Sequence, residues 1–160
     1  MTDELSTSDR LELAQLTAYY AAAADGRDWE ALGRLFVADA VLVTADPPRS
    51  LRPVVEIVGS EAIVATVQQL STFARTFHHL TGSYWTPDGS SGAFGRTTCT
   101  AHHVENPDAS GQSRSFVWHV IYADRAVRTD LGWRLARREL TVAMVETRPV
   151  GLVLPFDAPS

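Results

Sequence analysis

A histidine pair and an upstream aspartate are the residues of this chain best suited to acid/base chemistry. His78 and His79 lie in residues 77–85, which read FHHLTGSYW, and Asp25 lies more than fifty residues earlier beside Gly26. Imidazole has an unperturbed pKa near physiological pH, and a carboxylate held against one ring nitrogen fixes its tautomer and raises its basicity. These residue types predict a small pocket enzyme in which an aspartate-paired histidine moves protons.

Side chains that alternate along two strand-like segments predict how this pocket is lined. Every second residue of a strand faces the same side. The two sets are His79, Thr81, Ser83 and Trp85 on one segment, and Thr97, Cys99, Ala101 and His103 on the next. A mixture of small, polar and aromatic groups is typical of a pocket lining, whereas a structural core face would be mostly Val, Ile and Leu. We therefore expect His79 and His103 to face the pocket.

The other member of each histidine pair is expected on the opposite face. His78 and His102 would then meet solvent or a second subunit. A shift of one residue in strand register would exchange His78 for His79 and His102 for His103. Asp25 also has a purely structural alternative, because an acid beside glycine at a helix end often serves only the turn.

Further candidate pocket residues lie on the next strand-like segment. His119 lies between Trp118 and Val120, so Trp118 and His119 are alternative pocket residues.

Adjacent strand residues point to opposite faces, and each histidine pair can therefore give only one ligand to a metal. A three-ligand site of His79, His103 and Asp25 is the alternative to our prediction of no metal and no cofactor.

Composition restricts the classes of function. The chain has 160 residues, 45% of them hydrophobic, which fits one domain with its own core. Nineteen acidic against 14 basic residues give a formal net charge of -5, which disfavours a nucleic-acid partner. Cys99 is the single cysteine, so no internal disulfide or cysteine zinc site is expected. No signal peptide or membrane-length apolar run is evident, and we expect a cytoplasmic protein without a membrane partner.

The order of predicted elements indicates an α+β domain. Helices are predicted from Ser6 to Gly26, from Asp28 through Phe36, and from Gly59 to about Ala74. Short strands are predicted at 40–44 and 54–58, followed by four long ones at 77–86, 93–106, 114–127 and 133–146. Helices covering one face of such an antiparallel meander would leave a cavity if the sheet curls. Arginines 128, 134, 137 and 138 are expected to form a solvated or interfacial ion-pair face with Asp124, Asp130 and Glu139.

Three stretches carry a family resemblance. Residues 20–40, 59–63 and 124–138 resemble the helix-one to helix-two signature, the third-helix start and the last hairpin of the nuclear transport factor 2-like superfamily, the last in its SnoaL-like branch. The resemblance implies a single domain over residues 1–146, with a cone-shaped, curved, mostly antiparallel sheet packed against three N-terminal helices and enclosing a pocket. It also implies a homodimer through the exposed sheet face. Residues 147–160 form a tail that is a candidate pocket cover or dimer contact.

Within that superfamily the pattern is most similar to the scytalone dehydratases. Asp25 lies four residues before Trp29, His79 opens a His-x-x-Gly strand, and His103 lies eight residues after Gly95. By resemblance, His79 would be the base that takes a proton next to a carbonyl, with Asp25 orienting it. His103 would assist as acid or hydrogen-bond donor.

The chain departs from that pattern at the tyrosines that hold the substrate carbonyl. Ala24 occupies the position beside the aspartate, and the strand-one tyrosine falls near Val43 or Thr44. The phenols that could act from another direction are those of Tyr19, Tyr20 and Tyr84.

These observations predict a cofactor-free dehydratase, isomerase or cyclase acting on a small, mostly apolar carbonyl or polyketide-like compound. The predicted catalytic residues are His79, Asp25 and His103, and the predicted substrate-binding residues are Tyr20, Trp85, Cys99, Trp118 and His119. The alternatives are a non-catalytic ligand-binding or dimerisation module and a small support subunit of an oxygenase. Contact between Asp25 and His79 inside a cavity would favour the enzyme, and a filled interior would favour the support subunit.

Overall fold

The first helix carries Asp25 near its C-terminal end. The structure, a computed structural model, describes residues 4–154 and 156. Helix α1 spans Thr7–Gly26 and begins with a reciprocal cap, in which the Asp9 backbone N–H donates to Ser6 Oγ and the Ser6 N–H donates to the Asp9 carboxylate, both at 3.1 Å. Its C-cap residue is Arg27, whose left-handed backbone conformation, with a φ of 55°, ends the helix. Asp25 therefore lies in the last turn of α1.

The next helices are shorter than predicted. Helix α2 spans only Trp29–Gly33, capped by the Asp28 side chain, and the following strand begins at Phe36. The prediction that Phe36 belongs to a helix is wrong, because its backbone pairs with Leu135 and its ring is buried there. Helix α3 spans Ser60–Val67 and continues as a 3₁₀ helix over Gln68–Thr72, so it ends before Ala74.

Six strands form one sheet. They are β1 (Phe36–Asp46), β2 (Ser50–Val58), β3 (Arg75–Pro87), β4 (Gly92–Val104), β5 (Ser113–Thr129) and β6 (Gly132–Val150). Their order is β2-β1-β6-β5-β4-β3, with β1 parallel to β6 and every other pairing antiparallel. The sheet is curved and unclosed, with the helices against its inner face. The predicted α+β fold is confirmed.

The outer face of the sheet carries exposed apolar side chains. Phe77 and Phe94 are each about half exposed on β3 and β4. Such residues suit a subunit contact, and the homodimer stays a prediction. In residues 4–154 and 156, no helix is both long and apolar enough to span a membrane.

The tail differs from its predicted bounds. Strand β6 continues to Val150, so the first four predicted tail residues are strand. Beyond it, the Phe156 N–H donates to the Ala74 carbonyl at 3.0 Å, and the Phe156 ring lies 4.3 Å from the Arg27 guanidinium carbon. The described part of the tail therefore returns to the start of β3. Its role as pocket cover or dimer contact stays a prediction, and residues 155 and 157–160 lie outside the described part of the chain.

Candidate active site

An extra residue in β3 decides which histidine faces inward. Leu80 pairs with Cys99 and Gly82 pairs with Thr98, so Thr81 has no Cα partner on β4, although its hydroxyl lies 2.6 Å from that of Thr98. This arrangement is a β-bulge, in which one added residue shifts the alternation of side chains along the strand. Residues before and after the bulge therefore do not share a face by simple counting.

The bulge overturns the predicted position of His79. Trp85 faces inward after the bulge and His78 faces inward before it, although an odd number of positions separates them. The His79 ring lies on the outer face, 6.0 Å from the centroid of the exposed Phe77 ring and 5.4 Å from that of His102. The prediction that His79 contacts Asp25 is wrong, and so is a metal site that combines His79 with Asp25 and His103.

Asp25 instead holds His78 from two directions. The His78 Nδ1 lies 2.7 Å from Asp25 Oδ1, and the His78 backbone N–H donates to Oδ2 at 2.7 Å. The Thr76 hydroxyl donates to Oδ1 at 3.0 Å. Since a carboxylate only accepts, the His78 Nδ1 carries a hydrogen, and in the neutral imidazole Nε2 then has a lone pair. The Asp25 side chain therefore contacts β3, and its role is not limited to the turn after α1.

The Asp25 carboxylate is ionised at neutral pH. Burial raises its pKa, but the hydrogen bonds from His78 and Thr76, together with the charge of a protonated His78, outweigh burial, and the resulting pKa lies below the usual value. The charged carboxylate fixes the orientation and the tautomer of the imidazole that it contacts. Asp25 and His78 together therefore have the composition and geometry of a general base with its orienting acid.

The pair faces a cavity between the sheet and the helices. This inner cavity has a volume of about 310 Å³, and both His78 and His103 line it. An outer cavity of about 670 Å³ adjoins it and is lined mainly by apolar and aromatic side chains. The residues common to both are Leu70, Phe73, His103 and Trp118. Together they form a passage with a mostly apolar outer part and an inner part that adds hydroxyl, amide and imidazole groups, a combination that suits a small-molecule site.

His103 is held as a neutral imidazole in this passage. It is only 6% exposed, and its Nδ1 lies 3.3 Å from the Phe116 carbonyl oxygen. Burial, followed by repulsion from a charged His78, lowers the pKa of His103 to about 4. The prediction that His103 faces the pocket is correct in geometry.

His103 should make the fold acid-sensitive. Its folded-state pKa of about 4 lies below the ordinary 6.5, so between these values the unfolded chain binds a proton that the folded chain does not. The stability is fully present above pH 6.5 and falls by up to about 3 kcal/mol as the pH drops towards 4. Urea unfolding at pH 7, 6, 5 and 4 should show a smaller loss for His103→Phe than for the wild type. Equal losses would contradict this assignment.

The predicted substrate-binding residues divide between the cavity, the core and the outer face. Tyr20 and Trp118 line the inner cavity. Trp85 and Cys99 are buried in the core outside its lining, and burial raises the pKa of the Cys99 thiol to about 11. The His119 Nε2 lies 2.6 Å from Glu146 Oε1 on the outer face. The predictions of Trp85, Cys99 and His119 as cavity-lining residues are therefore wrong.

A buried ion pair lies beside the cavity and was not predicted from the sequence. Arg138 is 1% exposed, and its Nε and Nη2 donate to the two Asp124 carboxylate oxygens at 2.8 Å each. Its guanidinium carbon lies 4.2 Å from the ring centroid of Tyr20 and 4.3 Å from that of Tyr122, which also lines the inner cavity. Arg138 and Asp124 are therefore not part of a solvated charged face.

Tyr122 could have been recognised from strand alternation. It shares the inner face of β5 with Trp118, Val120 and Asp124, two residues apart in each case. Burial raises the pKa of Tyr20 and Tyr122, so both phenols keep their protons at neutral pH. The inner cavity thus combines two neutral phenols with two imidazoles.

The fold and the cavity define a protein of the nuclear transport factor 2-like, cystatin-like type. The chain belongs to the SnoaL-like domain family, whose family model matches residues 6–139. No curated protein matches the chain.

Solved structures of similar fold come from Novosphingobium aromaticivorans. A proposed aromatic ring hydroxylase is 23% identical, with 89% of this chain and 95% of that chain covered and a TM-score of 0.74. A proposed scytalone dehydratase is 22% identical, with 94% of both chains covered and a TM-score of 0.72. An NTF2-like protein with a cystatin-like fold is 25% identical, with 85% and 82% covered and a TM-score of 0.68. These similarities show that the chain shares its fold with these proteins.

Proposed function

We propose that this protein is a cofactor-free acid/base enzyme in which His78, oriented by Asp25, removes a proton next to the carbonyl group of a mostly apolar substrate. The observation that carries the proposal is the 2.7 Å contact between Asp25 Oδ1 and His78 Nδ1 beside the inner cavity. A proposed scytalone dehydratase and a proposed NTF2-like dehydratase from Streptomyces avermitilis are among the proteins of similar fold, which agrees with this class of reaction.

The first step uses the free nitrogen of His78. Nε2 takes the proton from the carbon next to the carbonyl, and the electrons of the broken C–H bond form a C=C bond as the carbonyl oxygen becomes an enolate. The Asp25 carboxylate stabilises the imidazolium, because it accepts the hydrogen bond from Nδ1. Thr76 holds the carboxylate in place by its own hydrogen bond.

The enolate oxygen needs a hydrogen-bond donor or a positive charge. The phenols of Tyr20 and Tyr122 are neutral donors that line the same cavity, and we assign the oxygen to their end of it. The Arg138 guanidinium carbon lies 4.2 and 4.3 Å from the centroids of these two rings, and its charge is paired with that of Asp124. These two tyrosines would take the place of the carbonyl-binding tyrosines that the chain lacks.

The second step returns the proton. In a dehydration, the enolate re-forms the carbonyl, the electrons of its C=C bond form a new double bond between the α and β carbons, and the bond to the β-hydroxyl breaks. The imidazolium gives its proton to that hydroxyl, which leaves as water. In an isomerisation, the same proton returns to a different carbon. Both courses leave His78 in its starting form, and neither consumes an oxidant or a reductant.

Proton abstraction can be measured before the natural substrate is known. Acetophenone, 1-indanone and 2-tetralone exchange the hydrogens next to their carbonyl groups with D₂O, and mass spectrometry measures the deuterium uptake. The wild type should accelerate exchange of at least one ketone. Asp25→Asn keeps the side-chain shape but removes the charge, and it should lower the rate by at least about tenfold. Asp39→Asn, on an exposed position of β1, is the matched control.

The outcomes separate the proposal from its alternatives. No acceleration over buffer with any ketone that binds would contradict the enzyme and favour a non-catalytic binding module. An oxygenase support subunit was expected to have a filled interior, and the two cavities of about 310 and 670 Å³ argue against it.

A further inference from the structure

The hydrogen-bonding character of His103 follows from its fixed tautomer. The Phe116 carbonyl oxygen can only accept, so the His103 Nδ1 at 3.3 Å donates to it. A neutral imidazole has one N–H, and its other nitrogen carries a lone pair. His103 Nε2 is therefore an acceptor.

The surroundings of His103 keep it in this form. Its ring centroid lies 5.3 Å from that of Phe73, 5.1 Å from that of Trp118 and 6.2 Å from that of His78. Burial of the ring, followed by repulsion from a charged His78, disfavours a charge on it and lowers its pKa to about 4. His103 is then an acceptor, and not an acid, over the ordinary pH range.

The same nitrogen has no protein partner in the part of the chain that the structure describes. Nδ1 makes the one hydrogen bond of this side chain within residues 4–154 and 156, and the ring lines both cavities. A largely buried acceptor without a donor loses free energy relative to one that is paired. A ligand that extends from the inner into the outer cavity passes this acceptor.

We propose that His103 is a specificity-determining hydrogen-bond acceptor, which selects ligands with a hydroxyl group at the junction of the two cavities. This inference deepens the proposed function and rests on it for the use of the hydroxyl: the substrate would be a hydroxy-carbonyl compound. The His78 and His103 rings are 6.2 Å apart, so the acidic carbon and the hydroxyl belong to neighbouring parts of one small molecule. The apolar lining of the outer cavity would take the remainder of it.

Two matched probes test the acceptor without any turnover. 2-Naphthol has a hydroxyl, and 2-methoxynaphthalene has the same rings with the donor hydrogen replaced by methyl. Calorimetric titration at pH 7 should show that the wild type binds 2-naphthol about tenfold more tightly, as expected for one buried hydrogen bond. His103→Phe keeps an aromatic ring without the acceptor and should reduce this preference to about twofold or less. His102→Phe, on the outer face of the same strand, should keep it.

A second variant covers the case in which His103→Phe does not fold. His103→Gln retains an acceptor oxygen and should keep part of the preference, and circular dichroism checks each fold. Equal affinity of the wild type for both probes would overturn the proposal, as would an unchanged preference in His103→Phe. Failure of the wild type to bind either probe would also overturn it, because the acceptor would not be accessible.

Binding by a His78 variant separates this proposal from the catalytic one. His78→Ala lacks the proposed base but keeps His103, so it should retain the preference for 2-naphthol. If His78→Ala retains the preference for 2-naphthol while the wild type does not accelerate ketone exchange, the result supports His103 as the acceptor and contradicts the catalytic proposal.

Discussion

Replacing His78 by alanine is expected to lower kcat/KM for ketone deuterium exchange by about 10²- to 10⁴-fold, the usual contribution of a general base. His78 is the histidine that contacts Asp25 and lines the inner cavity. The matched variant His79→Ala should leave the rate unchanged, because its ring lies on the outer face beside His102. Mass spectrometry of deuterium uptake at several ketone concentrations gives kcat/KM for each variant.

Added imidazole distinguishes a lost base from a damaged fold. The space vacated in His78→Ala lies beside the inner cavity, so free imidazole can enter and restore part of the exchange rate. A merely distorted site would not respond in this way. Full activity in His78→Ala with a loss in His79→Ala would reverse the assignment and return the base to His79.

Breaking the buried ion pair should have the largest effect on stability. Asp124→Ala leaves the Arg138 guanidinium buried without its two carboxylate contacts, and we expect a loss of about 3–5 kcal/mol in the free energy of unfolding. Arg138→Met should cost a similar amount, because it leaves the carboxylate unpaired. Urea unfolding at pH 7 measures both.

Two comparisons make this result specific. The double variant Asp124→Ala, Arg138→Met removes both charges and should be less destabilised than the sum of the two single variants. Arg114→Met breaks the exposed contact with Glu105 and should cost less than about 1 kcal/mol. Losses of equal size for Arg114→Met and Arg138→Met would contradict a special role for the buried pair.

Most of the fold could be predicted because local signals agree with the tertiary structure. The Ser6 cap and the apolar spacing after it define α1, and turn residues separate the four long strands. Phe36 was misassigned because its helical spacing from Leu32 competes with pairing to β6, which only the assembled sheet provides. Long-range pairing of this kind overrides local propensity.

The candidate site could be predicted only in part. His103 lines the cavity as expected, whereas Asp25 contacts His78 and not His79, because the bulge exchanges the faces predicted for these two histidines. Gly82 was the available signal, because an isolated glycine within a strand often marks a bulge. Arg138 was misassigned because its neighbours Arg137 and Glu139 suggested an exposed charged surface. Alternation along β6 would have placed it on the inner face with Leu140.

The bulge at Thr81 also affects how this chain should be aligned with its relatives. Trp85 lies seven positions after His78, and one of the six residues between them is Thr81, which has no Cα partner on β4. A relative without that extra residue would carry the equivalent histidine six positions before the tryptophan, with the same inward direction. An alignment anchored on the tryptophan without a gap would match the wrong residue. The position opposite His78 on β4, Ala101, is the sounder reference for finding the base in other sequences.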